Sequence, residues 1–274
     1  MHAGSTNIVI ERHPLAVRLW HWITAAVVFT LLFTGVVIFN VHPRLYWGEV
    51  GNATMPSTFG IEPPPFGASA TARPSPAILR VGTHTWNVTG AMGVSLGDYF
   101  MIFRSPRYFM KFGAARAYHF IAAWVFTLAW LAYVIYLLTS RRLKRDLLPA
   151  SRQLAPAALV QDVWDHLRLR RARGVAAAHY NLLQKLAYIC VVFVLVPVAI
   201  LSGLTMSTAI TARVPELFSL FGGRESARTV HAILAGLLVA FVLIHIFQLF
   251  VAGFVTRVQA MITGRLRIDA PGAL

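Results

Sequence analysis

The sequence predicts an all-α membrane protein: a bundle of four transmembrane helices with a long extracytoplasmic loop. Three observations carry that expectation. The chain of 274 residues is 57% apolar, with only 13% charged residues and a mean hydropathy of +0.62, whereas soluble domains carry about 25% charge. Four apolar runs are each long enough to cross about 30 Å of hydrocarbon at about 1.5 Å per helical residue. The formal charge of +15 is spread between those runs rather than gathered on one basic face, so it reads as a positive-inside bias and not as a nucleic-acid footprint.

The elements follow in order. A short polar tail ends at Pro14, a residue suited to the first turn of a helix because its missing N–H costs nothing there. The first span is expected over 15–40, with Trp20 and Trp22 as interfacial anchors. It is too long for a signal-peptide core of about 7–15 residues and reads as a retained span. Residues 41–114 form the long loop. Its first part is rich in Gly, Pro and Ser, which forbids a continuous helix. Its later part, from Trp86 to Phe112, is aromatic and amphipathic, and is expected to be an interfacial segment or a short helix lying on the bilayer.

The second span is expected over 115–139. A polar stretch, 140–179, then carries nine Arg/Lys against three acidic residues. The third span is placed at 181–207, with a kink at Pro197, and the fourth at 227–254. The tail adds Arg257, Arg265 and Arg267, whereas the linker between spans three and four balances Arg213 and Arg224 with Glu216 and Glu225. Both termini and the 140–179 stretch are therefore expected in the cytoplasm, with 41–114 facing the periplasm or exterior. The whole chain, 1–274, reads as a single integral-membrane domain. Its one cysteine, Cys190, lies in an apolar run, where a packed core thiol is expected. One cysteine excludes an internal disulfide, and the absence of CxxCH excludes covalent c-type haem attachment.

Ionisable side chains at membrane depth are costly and mark function by default. Span four holds His231 and His245, fourteen residues apart, hence about 21 Å along the axis and only about 40° from eclipsed. With the topology above, His21 and His245 share the inner level, and His119 and His231 share the outer one. Two His–His pairs at two depths are what two bis-histidine b-type haems in a helical bundle require, each iron held from both faces by an imidazole. Arg18, Arg116 and Arg228 precede His21, His119 and His231 by three residues each. That spacing puts each guanidinium on the same helix face, one turn nearer the surface, where haem propionates would point. The plain alternative is snorkelling to the headgroups. The other six of the ten histidines read as solvated, interfacial or supporting residues.

Several stretches resemble the prokaryotic di-haem cytochrome b subunits of the cytochrome b561 / nickel-iron hydrogenase / formate dehydrogenase gamma superfamily. They are VRLWHW at 17–22, RAYHF at 116–120, IFNVHPRLYWG at 38–48, THTWNVTGAMG at 83–93 and HYNLLQKLAY at 179–188, together with His231 and His245. The branch they are most similar to is that of thiosulfate reductase cytochrome b or cytochrome b/b6-domain proteins. The resemblance implies an electron-transfer subunit of an oxidoreductase complex, linking membrane quinone to a periplasmic redox partner of the molybdoenzyme or hydrogenase type. It implies a quinone near the inner haem, where Asn181, Gln184 and Lys185 could supply hydrogen bonds. The outer loop, with Tyr46, Trp47, Trp86, Arg104 and Arg107, is the expected docking surface, or else a cover for the outer haem. Two alternatives stand beside this. One is a stand-alone cytochrome b561-like quinone/superoxide oxidoreductase; the other is a transporter or structural anchor without haem.

Overall fold

A computed structural model describes residues 7–52, 54–62, 77–89, 91, 94–96, 99–101, 111–168 and 180–269. Four helices have the length and composition of membrane spans: α1 (Leu15–Val41), α2 (Phe112–Thr139), a composite third span (Leu182–Thr205) and α8 (Arg224–Ala252). Their apolar windows have a mean hydropathy of 2.1 to 2.6, yet no more than 22% of any window is buried within the protein. Apolar surface left uncovered on this scale is stable only against lipid. Cys190 is exposed on one of these helices and is not the packed core thiol that its apolar run suggested.

The third span shows what Pro197 does. It is built from α4 (Leu182–Cys190), a π-helical turn (Val191–Leu195) and α5 (Val196–Thr205). In the wide turn Val196 N–H donates to Val191 O, so the next carbonyl, Val192 O, awaits a donor at residue 197. Proline has none. The indole N–H of Trp130, on α2, fills that position at 2.8 Å. A buried carbonyl left without a partner would cost about 1–3 kcal/mol, so the indole is what lets the distorted turn persist.

The packing forms two compact units, one of Met1–Ala26, Thr127–Val196 and Leu238–Leu274, the other of Val27–Phe126 and Pro197–Leu237. In the first unit, β1 (Asn7–Glu11) pairs antiparallel with β8 (Arg265–Asp269), from Asn7↔Asp269 to Glu11↔Arg265. Gly253, at φ 94°, separates α8 from the last helix, α9 (Phe254–Thr263). Ala260 of α9 and Leu266 of β8 are fully buried, and Ile10 packs on them. Between spans two and three lie a π turn (Leu143–Leu147), a 3-10 turn (Ser151–Leu154) and α3 (Pro156–Leu167). Asp162 of α3 accepts from Leu183 N–H at 2.8 Å, placing a carboxylate at the positive end of the third span.

In the second unit the segment after α1 is pinned to the start of α8. Gly48 N donates to Ser226 Oγ (2.7 Å), Ser226 N to Gly48 O (3.1 Å) and Thr229 Oγ1 to Tyr46 O (2.6 Å). The approach is close enough that a Cβ on Gly223, at φ 115°, would lie 2.4 Å from Gly48 O, so only glycine fits. Strands β2 (Arg44–Leu45), β3 (Phe59–Glu62), β4 (Ile78–Val81) and β5 (His84–Asn87) form an antiparallel sheet in that order, and β6 (Val94–Leu96) pairs with β7 (Tyr99–Met101). Two short helices, α6 (Thr208–Thr211) and α7 (Glu216–Phe221), lead into α8.

Of the two expectations for the segment from Trp86 onward, an interfacial segment or a short helix, these strands correct the helix. The β4–β5 hairpin turns at Gly82 (φ 59°), and its Val81, Thr85 and Trp86 are residues that suit a pleated surface better than a helix. Residues 102–110, with Arg104 and Arg107, lie outside the described residues. Tyr46, expected in an exposed docking surface, is buried and donates its hydroxyl to Asn52 O at 2.9 Å; Trp47 and Trp86 are exposed.

Candidate functional site

Each unit holds one histidine pair. In the second, His119 of α2 faces His231 of α8 with ring centroids 6.3 Å apart and planes at 68°. The Nδ1 of each ring is engaged. His231 Nδ1 lies 3.0 Å from Ala199 O and 3.1 Å from Ser202 Oγ, both on α5. A carbonyl can only accept, so Nδ1 carries the proton and the Nε2 lone pair is free. His119 Nδ1 lies 2.9 Å from Thr34 Oγ1, whose own hydroxyl donates to Thr30 O at 2.7 Å. With that hydrogen committed, Thr34 accepts from the ring and fixes the same tautomer.

Glycine makes room for the His231 ring: a Cβ on Gly203 would stand 3.3 Å from His231 Cε1, a tight approach. One on Gly35 would make an ordinary 3.6 Å contact with His119 Cε1. A hydroxyl followed by glycine, Thr34-Gly35 in α1 and Ser202-Gly203 in α5, therefore supports each imidazole. Sequence reasoning passed over all four residues. The repeated Ser/Thr-Gly dipeptide inside an apolar span was the signal that could have found them.

In the first unit, His21 of α1 faces His245 of α8 with centroids 6.4 Å apart and planes at 54°. His245 stacks on Phe241 (6.0 Å, 16°), and His21 meets the edge of Trp22 (5.1 Å). Here the polar atoms are not all satisfied by protein. Arg18 Nε, Trp20 Nε1, His21 Nδ1 and Thr24 Oγ1 are buried without a protein partner. Such groups are costly unless something polar completes them.

Both pairs fit a shared haem iron. Two imidazoles bound through nitrogen to opposite faces of one metal need centroids roughly 6 Å apart: about 2 Å per bond, plus about 1 Å from each nitrogen to its ring centre. The free Nε2 atoms of the His119–His231 pair are the donor set that b-type haem requires, and the orphaned donors around His21 suit a cofactor with carboxylate arms.

Each arginine expected at a propionate has a partner within the protein. Arg18 Nη2 donates to Ile262 O. Arg116 lies 5.7 Å from the centres of the Phe112 and Phe120 rings. Arg228 pairs with Glu225 (3.4 Å) and donates to His42 O (2.6 Å). Asn181 and Gln184 form the reciprocal cap of α4, with Gln184 N–H donating to Asn181 Oδ1 at 2.8 Å and Asn181 N–H to Gln184 Oε1 at 3.3 Å. Lys185 Nζ reaches Gln153 Oε1 at 3.3 Å.

Outside the spans, His13 is held down to about 4, by burial first and then by the charges of Arg12, His21, Arg257 and Arg142. It is neutral at physiological pH.

A relative from Azospira oryzae, YedZ1, named as a candidate protein-methionine-sulfoxide reductase subunit, is 35% identical over 134 residues, 49% of this chain. The match spans 64% of that relative's length. No solved structure matches the chain significantly. A sequence model described as prokaryotic cytochrome b561 matches residues 12–264, almost from end to end, and the chain belongs to that family of b-type haem membrane proteins.

Proposed function

We propose that this protein is a di-haem electron-transfer subunit, with His21 and His245 holding one iron and His119 and His231 the other. The observation that carries the reading is the repeated geometry: two facing imidazole pairs, 6.4 and 6.3 Å between centroids. Bound haem supplies a one-electron couple at each level. The protein's own part is to hold the rings. Ala199 O, Ser202 and Thr34 keep Nδ1 protonated and Nε2 available, and lipid-facing helices keep water from both pairs.

In this reading both termini are cytoplasmic in a bacterial inner membrane, and the His21–His245 pair lies on that side. Quinone exchanges electrons there, near Asn181, Gln184 and Lys185, with Lys185 the most adaptable because the two amides also cap α4. The arginines at 18, 116 and 228 approach the propionates while keeping their protein contacts. The opposite side, with exposed Trp47 and Trp86, receives a periplasmic redox partner. Of the two partner types expected, molybdoenzyme or hydrogenase, the name of the Azospira oryzae relative speaks against a hydrogenase and for a reductase that acts on oxidised methionine.

The test is haem stoichiometry in purified protein, by pyridine haemochrome against protein mass. Two b-type haems per chain are expected. His21→Ala or His245→Ala should lose one and keep the other, and His119→Ala or His231→Ala should lose the complementary one. One haem per chain in the unaltered protein, or loss of the same haem from all four variants, would overturn the assignment.

A further inference from the structure

The first unit contains a device that the haem reading does not use. The last residues of α9, Ile262 and Thr263, make a terminal turn with Gly264, and the chain returns as β8 along β1. The turn is braced from within: Gly264 N donates to Ala260 O (2.9 Å), and Thr263 Oγ1 bonds Gln259 O (2.8 Å) and receives Arg265 N–H (3.2 Å). It grips the start of α1 from two directions. Gly264 O accepts from both Arg12 N (2.8 Å) and His13 N (3.2 Å), while Ile262 O accepts from Arg18 Nη2.

Gly264 sits at φ 83°. A Cβ there would stand 2.8 Å from His13 O and 3.1 Å from Arg18 Nη1. The glycine is therefore needed twice, for its backbone conformation and for the closeness of the guanidinium.

We propose that this C-terminal turn is a positioning element: by holding Arg18 it sets the charge beside the His21–His245 centre. The inference rests on that pair holding a haem, as proposed above. Arg18 and His21 are three apart on α1, so their side chains share a face. A guanidinium is planar, and one donor tied to Ile262 O orients the remaining donors. Among them Nε is buried without a protein partner, a donor available to an anionic acceptor. A fixed cation one turn from an iron-binding ring favours the reduced state of the centre, which carries one positive charge fewer. Releasing Arg18 to the headgroups moves that centre's midpoint negative and leaves the His119–His231 centre alone.

The experiment is a spectroscopic redox titration of full-length protein in mild detergent, with the His21–His245 component identified as the one lost in His245→Ala. Arg18→Gln and Gly264→Val should shift that component negative by similar amounts, and the double variant should shift it no further. Arg18→Lys, which keeps the charge but not the fork, should give a smaller shift. If Gly264→Val fails to accumulate, Gly264→Ala presses on the same two atoms with less bulk. A midpoint that moves with Arg18→Gln but not with the glycine variant, or shifts that add in the double, would overturn the positioning role. A His245→Ala protein that keeps both haems would instead overturn the haem assignment, and the inference with it; haem count separates the two failures.

Discussion

Thr34 and Ser202 hold the facing imidazoles of His119 and His231 by unequal means, and the inequality is testable. Ser202 shares His231 with Ala199 O, a backbone acceptor that no substitution removes. Thr34 is the side-chain acceptor of His119, although Leu31 O also lies within reach of that ring. Thr34→Val should weaken the His119–His231 haem by about tenfold, with Ser202→Ala closer to neutral. Haem transfer to apomyoglobin, followed optically, measures both. His13 offers a test in pH. Its folded value, about 4, lies below the ordinary 6.5 because burial and then Arg12, His21, Arg257 and Arg142 oppose its proton. The unfolded chain therefore takes up that proton first. His13's contribution to stability is complete above pH 6.5 and is lost as pH falls toward 4. Thermal melts of detergent-solubilised protein should show a decline through that window, which His13→Gln flattens. At this scale the sequence exposed the paired histidines, because a histidine in an apolar helix stands out. It hid their supports, because Thr, Ser and Gly are unremarkable in a span until the partner ring is known.

At the scale of the element, Pro197 marks the third span as irregular, and the irregularity is legible in the sequence. What form it takes is not. A proline removes one donor and crowds the preceding turn, and a kink, a π turn or a broken helix would each accommodate that. The outcome is decided by a residue more than sixty positions away, Trp130, whose indole donates to Val192 O. Trp130→Phe should therefore cost about 1–3 kcal/mol by leaving that carbonyl unpaired. Pro197→Ala restores a backbone donor and should make the same substitution at 130 much less damaging. A double-mutant cycle on thermal stability in detergent reads the coupling directly. The strands between the first and second spans were missed for a related reason. Strands of two to four residues give too few alternations for a period of two to show, and the aromatic residues among them also fit an interfacial helix.

At the scale of the whole molecule, the four spans are legible because lipid makes one demand of every segment that crosses it: about 20 apolar residues with an internally bonded backbone. The expected bounds and those found agree to within three residues at each end. The pairing of histidines is legible for a different reason. Alternating span direction sorts residues by depth, and His21 with His245 and His119 with His231 are the pairs found facing one another. Contacts made by the chain ends, such as β1 with β8, depend on neither rule and left no trace in hydropathy. The orientation itself rests on charge: nine basic residues in 140–179 against a balanced linker before α8. Each Lys/Arg near a span end favours the cytoplasmic side, so reversing the protein would move this whole excess across the membrane. Single-cysteine labelling can decide it. Cys190 is the lone native thiol, so Cys190→Ser gives a blank background. Trp86→Cys on β5, at a side chain 49% exposed, should react with an impermeant maleimide in intact spheroplasts. Lys144→Cys, between the second and third spans, should react only after lysis. The reverse pattern would invert the proposed topology and place the His119–His231 pair toward the cytoplasm, moving the proposed quinone and partner ends with it.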